Sequence, residues 1–301
     1  MSLVPAGPQH APISSQGAYS MLCVAGSAGL VAALVFSAFP GIDLAVSELF
    51  HLGNGKFLFA RDSAGDAVRD LLRLIFALAC IAAVVGFVMI AFFSRKLMGM
   101  GLAAWAFVAL CVLVGPGLVA NLGFKDHWGR ARPVHVTQFG GDKQFTPPML
   151  RAAQCERNCS FISGEASNIF ILGFAVALLA EAGRRRKLFL AAIAAGGFAG
   201  LIRIGAGAHF LSDVVFAGVF MAFVARGLAW AMFERFAAHL ADDGPVHQRT
   251  LHAGRRSAEQ AARLMERARE MRVADRLREL RPIERARAWR GKKPPPASGS
   301  G

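Results

Sequence analysis

"LLRLIFALACIAAVVGFVMIAFF", residues 71–93, is an apolar run with a single charged side chain, Arg73. A helix rises 1.5 Å per residue, so a run of this length can cross the hydrocarbon core of a bilayer. Five more apolar runs of comparable length follow or precede it. The six runs lie at 21–39, 71–93, 98–120, 166–182, 188–204 and 211–233. The sequence therefore predicts an all-α, polytopic membrane protein with six transmembrane helices.

The composition of the whole chain agrees with this class. Hydrophobic residues make up 54% of the 301 residues, and charged residues make up only 18%. Soluble domains carry about 25% charged residues, so an ordinary soluble protein is excluded. The fourth and fifth runs are short and contain glycine, which leaves five spans or a re-entrant segment as the alternative. The first run lacks the basic start and cleavage site of a signal peptide, which predicts a retained anchor.

The distribution of cations predicts how the helices are oriented. The connections after the second and fourth runs carry six cations and one nearby acid, Glu181. The cations are Arg95, Lys96, Arg184, Arg185, Arg186 and Lys187. Because positively charged loops stay in the cytoplasm, both termini are expected inside, and the loop after the third run is expected outside.

This arrangement divides the chain into three parts. Residues 1–20 are expected to be a cytoplasmic segment, 21–233 the six-span domain, and 234–301 a basic cytoplasmic tail with 16 Lys and Arg against 9 acids. The tail is predicted to be helical from Ser257 to Trp289 and disordered at "KKPPPASGSG", 292–301.

The helical part of the tail has an apolar stripe. It comprises Ala261, Leu264, Ala268 and Met271. Binding to anionic lipids of the inner leaflet, self-association and a merely solvated helix are the three interpretations of this pattern.

The segment between the first two runs, residues 39–73, mixes aromatic, glycine and charged residues. It is too polar to cross a membrane. Part of it is expected to form a short amphipathic helix on the outer surface, and an ordinary loop is the alternative.

Five cysteines are too few for a disulfide framework. Cys23, Cys80 and Cys111 fall in the apolar runs and are expected to pack as small apolar side chains. Cys155 and Cys159 lie four apart in the outward loop. They are a possible disulfide in an oxidising compartment, and two free thiols are the alternative.

The first stretch with chemical potential is "KDHWGRARP", residues 125–133. Lys125 and Arg132 are seven apart and lie on nearly the same side if the segment is helical, with Pro133 ending the helix. A lysine and an arginine together suit a multiply charged oxyanion. A basic cluster that only anchors lipid headgroups is the alternative.

The second stretch is "CSFISGEAS", residues 159–167, at the start of the fourth run. A Ser-Gly pair at a helix start presents a hydroxyl and free backbone N–H groups, and the helix dipole attracts anions there. Ser163 and Gly164 could therefore contact a phosphate. Plain helix capping by Ser163, with Glu165 in the first turn, is the alternative.

The third stretch is "RIGAGAHFLSD", residues 203–213, between the fifth and sixth runs. His209 and Asp213 are four apart, so on a helix the carboxylate can hold the imidazole in one tautomer. Arg203 lies on a different face of any regular helix, and the glycines between it and His209 are expected to break the helix and return the arginine. Ionisable groups at membrane depth are costly and usually functional.

Together the three stretches resemble the type 2 phosphatidic acid phosphatase superfamily of membrane lipid phosphatases. The family pattern is KxxxxxxRP, then PSGH, then SRxxxxxHxxxD. The corresponding residues here are Lys125 to Pro133, Ile162 to Glu165, and Ile202 to Asp213. Order and internal spacing agree, and the resemblance with its six-span core covers residues 20–233.

The resemblance implies a role for each matched residue. The phosphate-binding residues would be Lys125, Arg132, Ser163, Gly164 and Arg203. His209 would attack phosphorus and form a phosphohistidine, and Asp213 would orient the imidazole. No metal or other cofactor is expected for this chemistry.

The departure that matters most is Glu165, which replaces the histidine that the family assigns to protonating the leaving group. Glu165 is expected to be catalytic if burial keeps it protonated, whereas nearby cations would favour its carboxylate. His127 and His135 are alternative proton donors. Ile162 and Ile202, in place of proline and serine, are expected to have mild effects.

The resemblance implies a lipid phosphatase in a bacterial inner (plasma) membrane, with its active site facing the periplasm. The candidate substrates are lipid A, undecaprenyl diphosphate, phosphatidic acid and phosphatidylglycerol phosphate. Lipid A or another sugar lipid is favoured, because a better leaving group demands less of an acid. A non-catalytic phospholipid-binding relative disabled by Glu165 and a lipid phosphotransferase are the alternatives. Homo-oligomers are possible, and nucleic acid is not an expected partner.

Overall fold

The computed structural model describes residues 15–60, 64–93, 98–240 and 245–290, and within these ranges the chain is helical and has no β-strand. The helices are α1 (Ser15–Ala38), α2 (Gly41–Glu48), α3 (Ala64–Phe93), α4 (Leu102–Val112), α5 (Gly164–Leu179), α6 (Ala182–Gly205), α7 (Leu211–Trp230), α8 (Ala237–Leu240) and α9 (Pro245–Arg290). Two of them continue with π-type hydrogen bonding, α4 through Leu113–Lys125 and α7 through Ala231–Arg235.

Among the described residues, four helices are long and apolar enough to cross a membrane. They are Ala64–Phe92, Leu102–Lys125, Ala182–Gly205 and Leu211–Arg235. The pair Leu22–Ala38 and Gly41–Glu48, bent by 86°, is a fifth candidate, and Gly164–Leu179 is apolar but shorter. The prediction of an all-helical chain with several apolar spans is confirmed, and helices occupy all six predicted runs.

An apolar face of α3 points away from the protein. Its large side chains are about half exposed, and they include Leu71, Leu74, Leu78, Ile81 and Val85. So many exposed apolar side chains on one helix would be unfavourable in water. They are what lipid tails would cover in a membrane.

Small residues bring α5, α6 and α7 into close contact. Gly196 of α6 lies against the ring of Phe170 in α5, and Gly200 lies against Val214 in α7, so a Cβ at either glycine would overlap its neighbour. Small residues at helix contacts are typical of membrane bundles. Because the three helices follow one another in the chain, this packing brings together the start of α5, the end of α6 and the start of α7.

The long connection between α4 and α5 is irregular apart from two short 3₁₀ turns, Pro133–His135 and Thr137–Phe139. A separate apolar cluster fixes it to the bundle. The buried members of this cluster are Phe57, Ala131, Val136, Phe139 and Phe210. They join the loop after α2, the connection itself and the start of α7.

The segment 39–73 contains a short helix whose polar side faces the protein. A short helix does form, as α2, but its buried residues are the polar Asp43 and Ser47. The polar side of α2 therefore packs inward. The physical reason is that Asp43 has buried partners, Arg130 and Ser212, that are distant in sequence.

The chain divides after Gln248 into two compact units. The predicted tail helix lies within α9, which begins earlier than expected, at Pro245. In the predicted stripe, Leu264 and Met271 are exposed. The expected disorder at 292–301, the expected cytoplasmic segment up to residue 14, and the cations Arg95 and Lys96 all lie outside the described residues.

Candidate active site

The first motif is not helical beyond Lys125. Lys125 ends the π-helical continuation of α4, and the chain then turns at Gly129, where φ is 70°. A Cβ at Gly129 would overlap the carbonyl of Ala152, so a side chain is excluded there. Arg132 follows in an extended conformation, before the turn that begins at Pro133. The condition under which the sequence placed Lys125 and Arg132 on one side, a helical segment, is therefore not met, and the two residues come together in another way.

Asn158 connects Lys125 and Arg132, because it accepts a hydrogen bond from each of them. The Nζ of Lys125 donates to the side-chain oxygen of Asn158 at 3.4 Å. The Nη2 of Arg132 donates to the backbone carbonyl of the same residue at 2.7 Å. Residues 155 and 159, on either side of Asn158, are joined in a disulfide with Cα atoms 5.7 Å apart.

The second motif lies at the start of α5. Ser163 is the N-cap residue, but its side chain makes no capping hydrogen bond. Its Oγ is buried and has no hydrogen-bond partner among the described residues. Helix capping therefore does not explain this serine. Gly164 follows, and a Cβ there would lie 2.7 Å from the Nζ of Lys125.

The third motif breaks its helix where the sequence predicted. Helix α6 ends at Gly205, and Gly207 has φ 66° with its Cα facing the ring of Phe57. The turn reverses the chain. Arg203 and His209, six residues apart, consequently lie on the same side, and both are within 4 Å of Glu165.

The two ring nitrogens of His209 have different surroundings. Nδ1 lies 2.7 Å from the carbonyl oxygen of Ser160, which can only accept a hydrogen bond. The hydrogen therefore sits on Nδ1, and Nε2 has the lone pair. The nearest oxygen of Asp213 is 3.6 Å from Nδ1, beyond a normal hydrogen bond. Ser160, and not Asp213 as predicted, sets the tautomer.

Asp213 instead belongs to a buried network around Arg130. It accepts from Arg130 Nη1 at 2.5 Å, from the hydroxyl of Ser160 at 2.5 Å and from the backbone N–H of Phe210 at 2.8 Å. Arg130 also donates to Asp43 at 2.7 Å, and its guanidinium carbon lies 4.4 Å from the centre of the Phe210 ring. The side chains of Arg130, Asp43 and Asp213 are fully buried. This network fixes the Asp213 carboxylate beneath the histidine.

Glu165 lies at the centre of the site. Its carboxylate is 3.0 Å from Nη2 of Arg73, 3.7 Å from Nε of Arg203 and 3.9 Å from Nε2 of His209. The side chain is 13% exposed. The cations Arg73 and Arg203 stabilise the ionised carboxylate. Glu165 thus occupies the position that an incoming anion would share with the same cations.

Burial lowers the pKa of His209 below its ordinary value of 6.5, and the cation of Lys125 lowers it further. Asp213 and Glu165 raise this pKa, but they do not offset the burial. The histidine is therefore neutral at neutral pH. Burial also lowers the pKa of Arg132, while Glu165 and Asp213 raise it.

A cleft of about 200 Å³ opens beside these groups. It is lined by Arg132 and Arg203 together with Asp66, Arg69 and His135. The other candidate proton donor, His127, is exposed and bonds to the carbonyl of Leu122. No group of three or more His, Cys, Asp or Glu side chains in the described part of the chain is arranged to hold a metal ion.

Several residues of the site were missed or undervalued in the sequence. Arg130 lies inside the first motif, and a charged side chain next to an apolar run indicates a buried ion pair. Asp43, Asn158 and Ser160 gave none, because their contacts are made with residues 26 to 169 positions away or through the backbone. Arg73 was counted as a charge within the second run, although it reaches Glu165.

Comparison with known proteins adds a family. A model of the PAP2 superfamily matches residues 99–237, which include all three motifs. The lipid A 4'-phosphatase of Francisella tularensis subsp. novicida is 49% identical over 129 residues, which are 43% of this chain and 58% of that protein.

Two further relatives align over more of their length. The lipid A 4'-phosphatases of Rhizobium etli and Rhizobium leguminosarum are 37% and 35% identical over 205 residues, 60% of this chain. The alignments cover 75% and 83% of those two proteins, whereas the chain spans less than two thirds of the Francisella relative. No solved structure matches the chain.

Proposed function

Because the chain belongs to the PAP2 superfamily, we propose that it is an integral membrane phosphatase that removes a phosphate from a lipid headgroup. The observation that carries this proposal is the convergence of the three motifs. Lys125 lies against the start of α5, and Arg203 and His209 lie within 4 Å of Glu165 in its first turn. Such a set of cations around one histidine suits a phosphoryl group and its transfer.

In the first step, Nε2 of His209 attacks phosphorus while the bond from phosphorus to the ester oxygen breaks. The neutral imidazole is ready to attack because its hydrogen is on Nδ1, bonded to the Ser160 carbonyl. The phosphohistidine so formed carries positive charge on the ring. Asp213, 3.6 Å from Nδ1, stabilises this charge.

The phosphate oxygens are bound by the groups that the sequence indicated. Lys125, Arg132 and Arg203 supply positive charge, and the hydroxyl of Ser163 is buried without another hydrogen-bond partner among the described residues. Helix α5 begins at Gly164, and the first N–H groups of a helix have no partner within it. Negative charge that develops on these oxygens in the transition state is thereby stabilised.

Glu165 is the proposed proton carrier. The departing oxygen needs a proton, and Glu165 is the acid nearest to the reacting nitrogen, with its Oε2 3.9 Å from His209 Nε2. The neighbouring cations stabilise the ionised form of Glu165. Glu165 can therefore be protonated only when the incoming phosphate binds the same cations and reduces this stabilisation. In the second step the carboxylate can accept a proton from the water that hydrolyses the phosphohistidine and releases inorganic phosphate.

A sugar-linked phosphate of the lipid A class is the proposed substrate. The three relatives that carry the name lipid A 4'-phosphatase support this choice. The cleft beside Arg132 and Arg203 is also lined by Asp66, Arg69 and His135, and it has room for more than a phosphate. Undecaprenyl diphosphate and glycerol-linked phosphates are the substrates to compare.

We also propose the membrane arrangement in full. The domain 21–233 crosses a bacterial inner membrane six times, with α5 and the bent pair of α1 and α2 completing the four longer spans. The active site then faces the periplasm. The basic tail from residue 234 lies in the cytoplasm, where its cations would be attracted to anionic inner-leaflet lipids.

The first experiment measures release of inorganic phosphate by the purified protein in detergent, without added metal. Lipid A, undecaprenyl diphosphate, phosphatidic acid and phosphatidylglycerol phosphate are the substrates. We expect release from lipid A, and His209→Ala should abolish it because the nucleophile is lost. Glu165→Gln should abolish it as well, and Glu165→His should retain it.

One outcome would favour a different function. If the folded protein binds these lipids but releases no phosphate from any of them, it is not a hydrolase. A lipid-binding relative, with Glu165 occupying the cationic site, then accounts for the structure better. Transfer of the phosphoryl group to an added lipid acceptor would instead identify a phosphotransferase.

A further inference from the structure

The loop from Cys155 to Cys159 contacts the two cations of the first motif. Its Asn158 accepts a hydrogen bond from Lys125 through the side chain and from Arg132 through the backbone, at 3.4 and 2.7 Å. The loop thus holds both cations from one residue.

The loop is itself fixed to the segment that carries these cations. The N–H of Cys159 donates to the carbonyl of Lys125 at 2.9 Å, and the N–H of Asn158 donates to the carboxylate of Asp126 at 3.2 Å. Immediately after Cys159, the backbone N–H of Ser160 donates to the carbonyl of Arg130 at 3.0 Å. The same Ser160 orients His209, so one short stretch contacts cations and nucleophile alike.

The disulfide between Cys155 and Cys159 closes this loop, which has no regular secondary structure. A covalent closure restricts the conformations that such a loop can adopt. Asn158 also has φ 51°, a left-handed conformation that asparagine tolerates better than most residues. The disulfide and the choice of asparagine at residue 158 therefore both favour the observed loop conformation.

A neutral acceptor is well suited to hold cations that must bind phosphate. Lysine and arginine side chains lose about 2 kcal/mol of rotamer entropy when they are fixed, so prior ordering reduces the cost of binding. An aspartate at this position would order them too, but its charge would compete with the phosphate. Asparagine orders the cations and leaves their charge available.

We infer that the disulfide-closed loop 155–159 is a positioning device for phosphate binding, in which Asn158 is the positioning residue for Lys125 and Arg132. The inference rests on the proposed function. It adds that affinity for the phosphoryl group depends on the loop, although no residue of the loop belongs to the family motifs.

Asn158→Gly tests the side-chain contact. Glycine keeps the left-handed backbone and the carbonyl that binds Arg132, and it removes only the acceptor for Lys125. The readouts are the Kd for inorganic phosphate, by calorimetry in detergent, and the KM and kcat for lipid phosphate release. We expect Kd and KM to rise about tenfold, the effect of losing one hydrogen bond to a charged group. Asn54→Gly is the matched control, since Asn54 is exposed and has φ 50°; it should change neither value.

Asn158→Asp separates positioning from simple support of the fold. The carboxylate should keep both cations ordered and leave the melting temperature unchanged or higher. Its charge should nevertheless weaken phosphate binding more than the glycine does. A purely structural role predicts the reverse order, with the glycine variant worse than the aspartate variant.

The disulfide is tested by Cys155→Ser and by reduction. Dithiothreitol supplies the two electrons and two protons that convert the disulfide into two thiols, and it is itself oxidised. We expect the Kd for phosphate to rise in the reduced wild type and in Cys155→Ser, with no additional effect of reductant on the variant. A protein with Cys23, Cys80 and Cys111 replaced by alanine should respond to reductant as the wild type does.

The outcomes distinguish this inference from the function on which it rests. If the wild type binds phosphate and hydrolyses lipid, and the loop variants bind phosphate equally well, the inference is wrong and the phosphatase stands. A lower melting temperature with unchanged Kd leads to the same conclusion. If the wild type neither binds phosphate nor releases it, both proposals are wrong.

Discussion

At His209, one ring nitrogen is bound by the protein and the other faces the site. Nδ1 donates to the Ser160 carbonyl at 2.7 Å, and Nε2 lies 3.9 Å from Glu165. A carbonyl cannot donate, so the alternative tautomer would lose this hydrogen bond. The backbone of Ser160 therefore leaves the lone pair on Nε2, as the proposed attack on phosphorus requires.

The pH dependence of catalysis should reflect the low pKa of His209. The proposed nucleophile must be neutral to attack. Burial and, to a smaller extent, the charge of Lys125 lower the pKa of His209 below 6.5, although the charges of Asp213 and Glu165 raise it. Protonation then inactivates the enzyme only below that pH. We expect kcat/KM to stay level as pH falls through 6.5 and to decline at more acidic values.

The measurement is a pH profile of kcat/KM for lipid phosphate release. The lipid phosphate titrates nearby, so its own titration is followed by phosphorus NMR in the same micelles and subtracted. An acid limb centred above 6.5 after this correction would mean that His209 is not the group that must be neutral.

The residues that bear charge in the motifs were predictable, and their partners were not. Lys125, Arg132 and Arg203 follow from the resemblance of the three stretches to the family motifs, because each motif is local in the sequence. Asp43 was hidden, since it meets Arg130 from 87 positions away. Ser160 acts on the nucleophile through its backbone carbonyl, which no residue type reveals.

Among the elements, the start of α5 is where the charge of the proposed phosphate substrate would meet the charge of the protein. Helix α5 begins at Gly164, close to Lys125, and the neighbouring Ser163 hydroxyl has no hydrogen-bond partner in the described part of the chain. Glycine here allows the ammonium group to approach the helix N-terminus closely. Backbone N–H groups and Lys125 can then bind the same phosphate.

Gly164→Ala should impair catalysis without unfolding the protein. The new Cβ would lie 2.7 Å from Nζ and 3.1 Å from Cε of Lys125, so the end of this flexible side chain must move away. Displacement of a binding group by about 1 Å can cost up to a hundredfold, and we expect a loss of about tenfold or more in kcat/KM. The free energy of unfolding should change by less than about 1 kcal/mol.

Gly197→Ala is the control for this substitution. Gly197 lies within α6, and a Cβ there would have no atom within 4 Å. Its activity should equal that of the wild type. Equal activity of both variants would show that the close approach of Lys125 to α5 is unimportant.

The elements themselves were predicted with uneven success. Apolar runs located the membrane helices, because continuous hydrophobicity is a strong local signal. The stretch 125–132 would have placed Lys125 and Arg132 on one side if it were helical, and Gly129 with its positive φ prevents a helix there. Helix α2 was expected to be amphipathic, and the buried partners of Asp43 explain why its polar side faces the protein.

In the whole molecule, charge is distributed unequally between the ends of the bundle. The end with the motifs holds cations that are paired with acids, such as Arg130 with Asp43 and Asp213. The start of α6, at the other end, carries the four cations from Arg184 to Lys187 beside one acid, Glu181. Unbalanced positive charge favours the cytoplasmic side, so the motif end should face the periplasm.

Labelling of single cysteines tests this orientation. Cys23, Cys80 and Cys111 are replaced by alanine, and Cys155 and Cys159 are blocked by their disulfide. Two probes are then introduced separately.

The probes are Gln138→Cys and Gly183→Cys. Gln138 is exposed at the motif end, and Gly183 is exposed near the start of α6 with open space around its Cα. A maleimide that cannot cross membranes should label Gln138→Cys in intact spheroplasts, and should label Gly183→Cys only after lysis. The reverse pattern would put the active site in the cytoplasm, where it would meet lipids of the inner leaflet. A periplasmic result would mean that the phosphatase acts on lipids only after their headgroups have crossed the membrane.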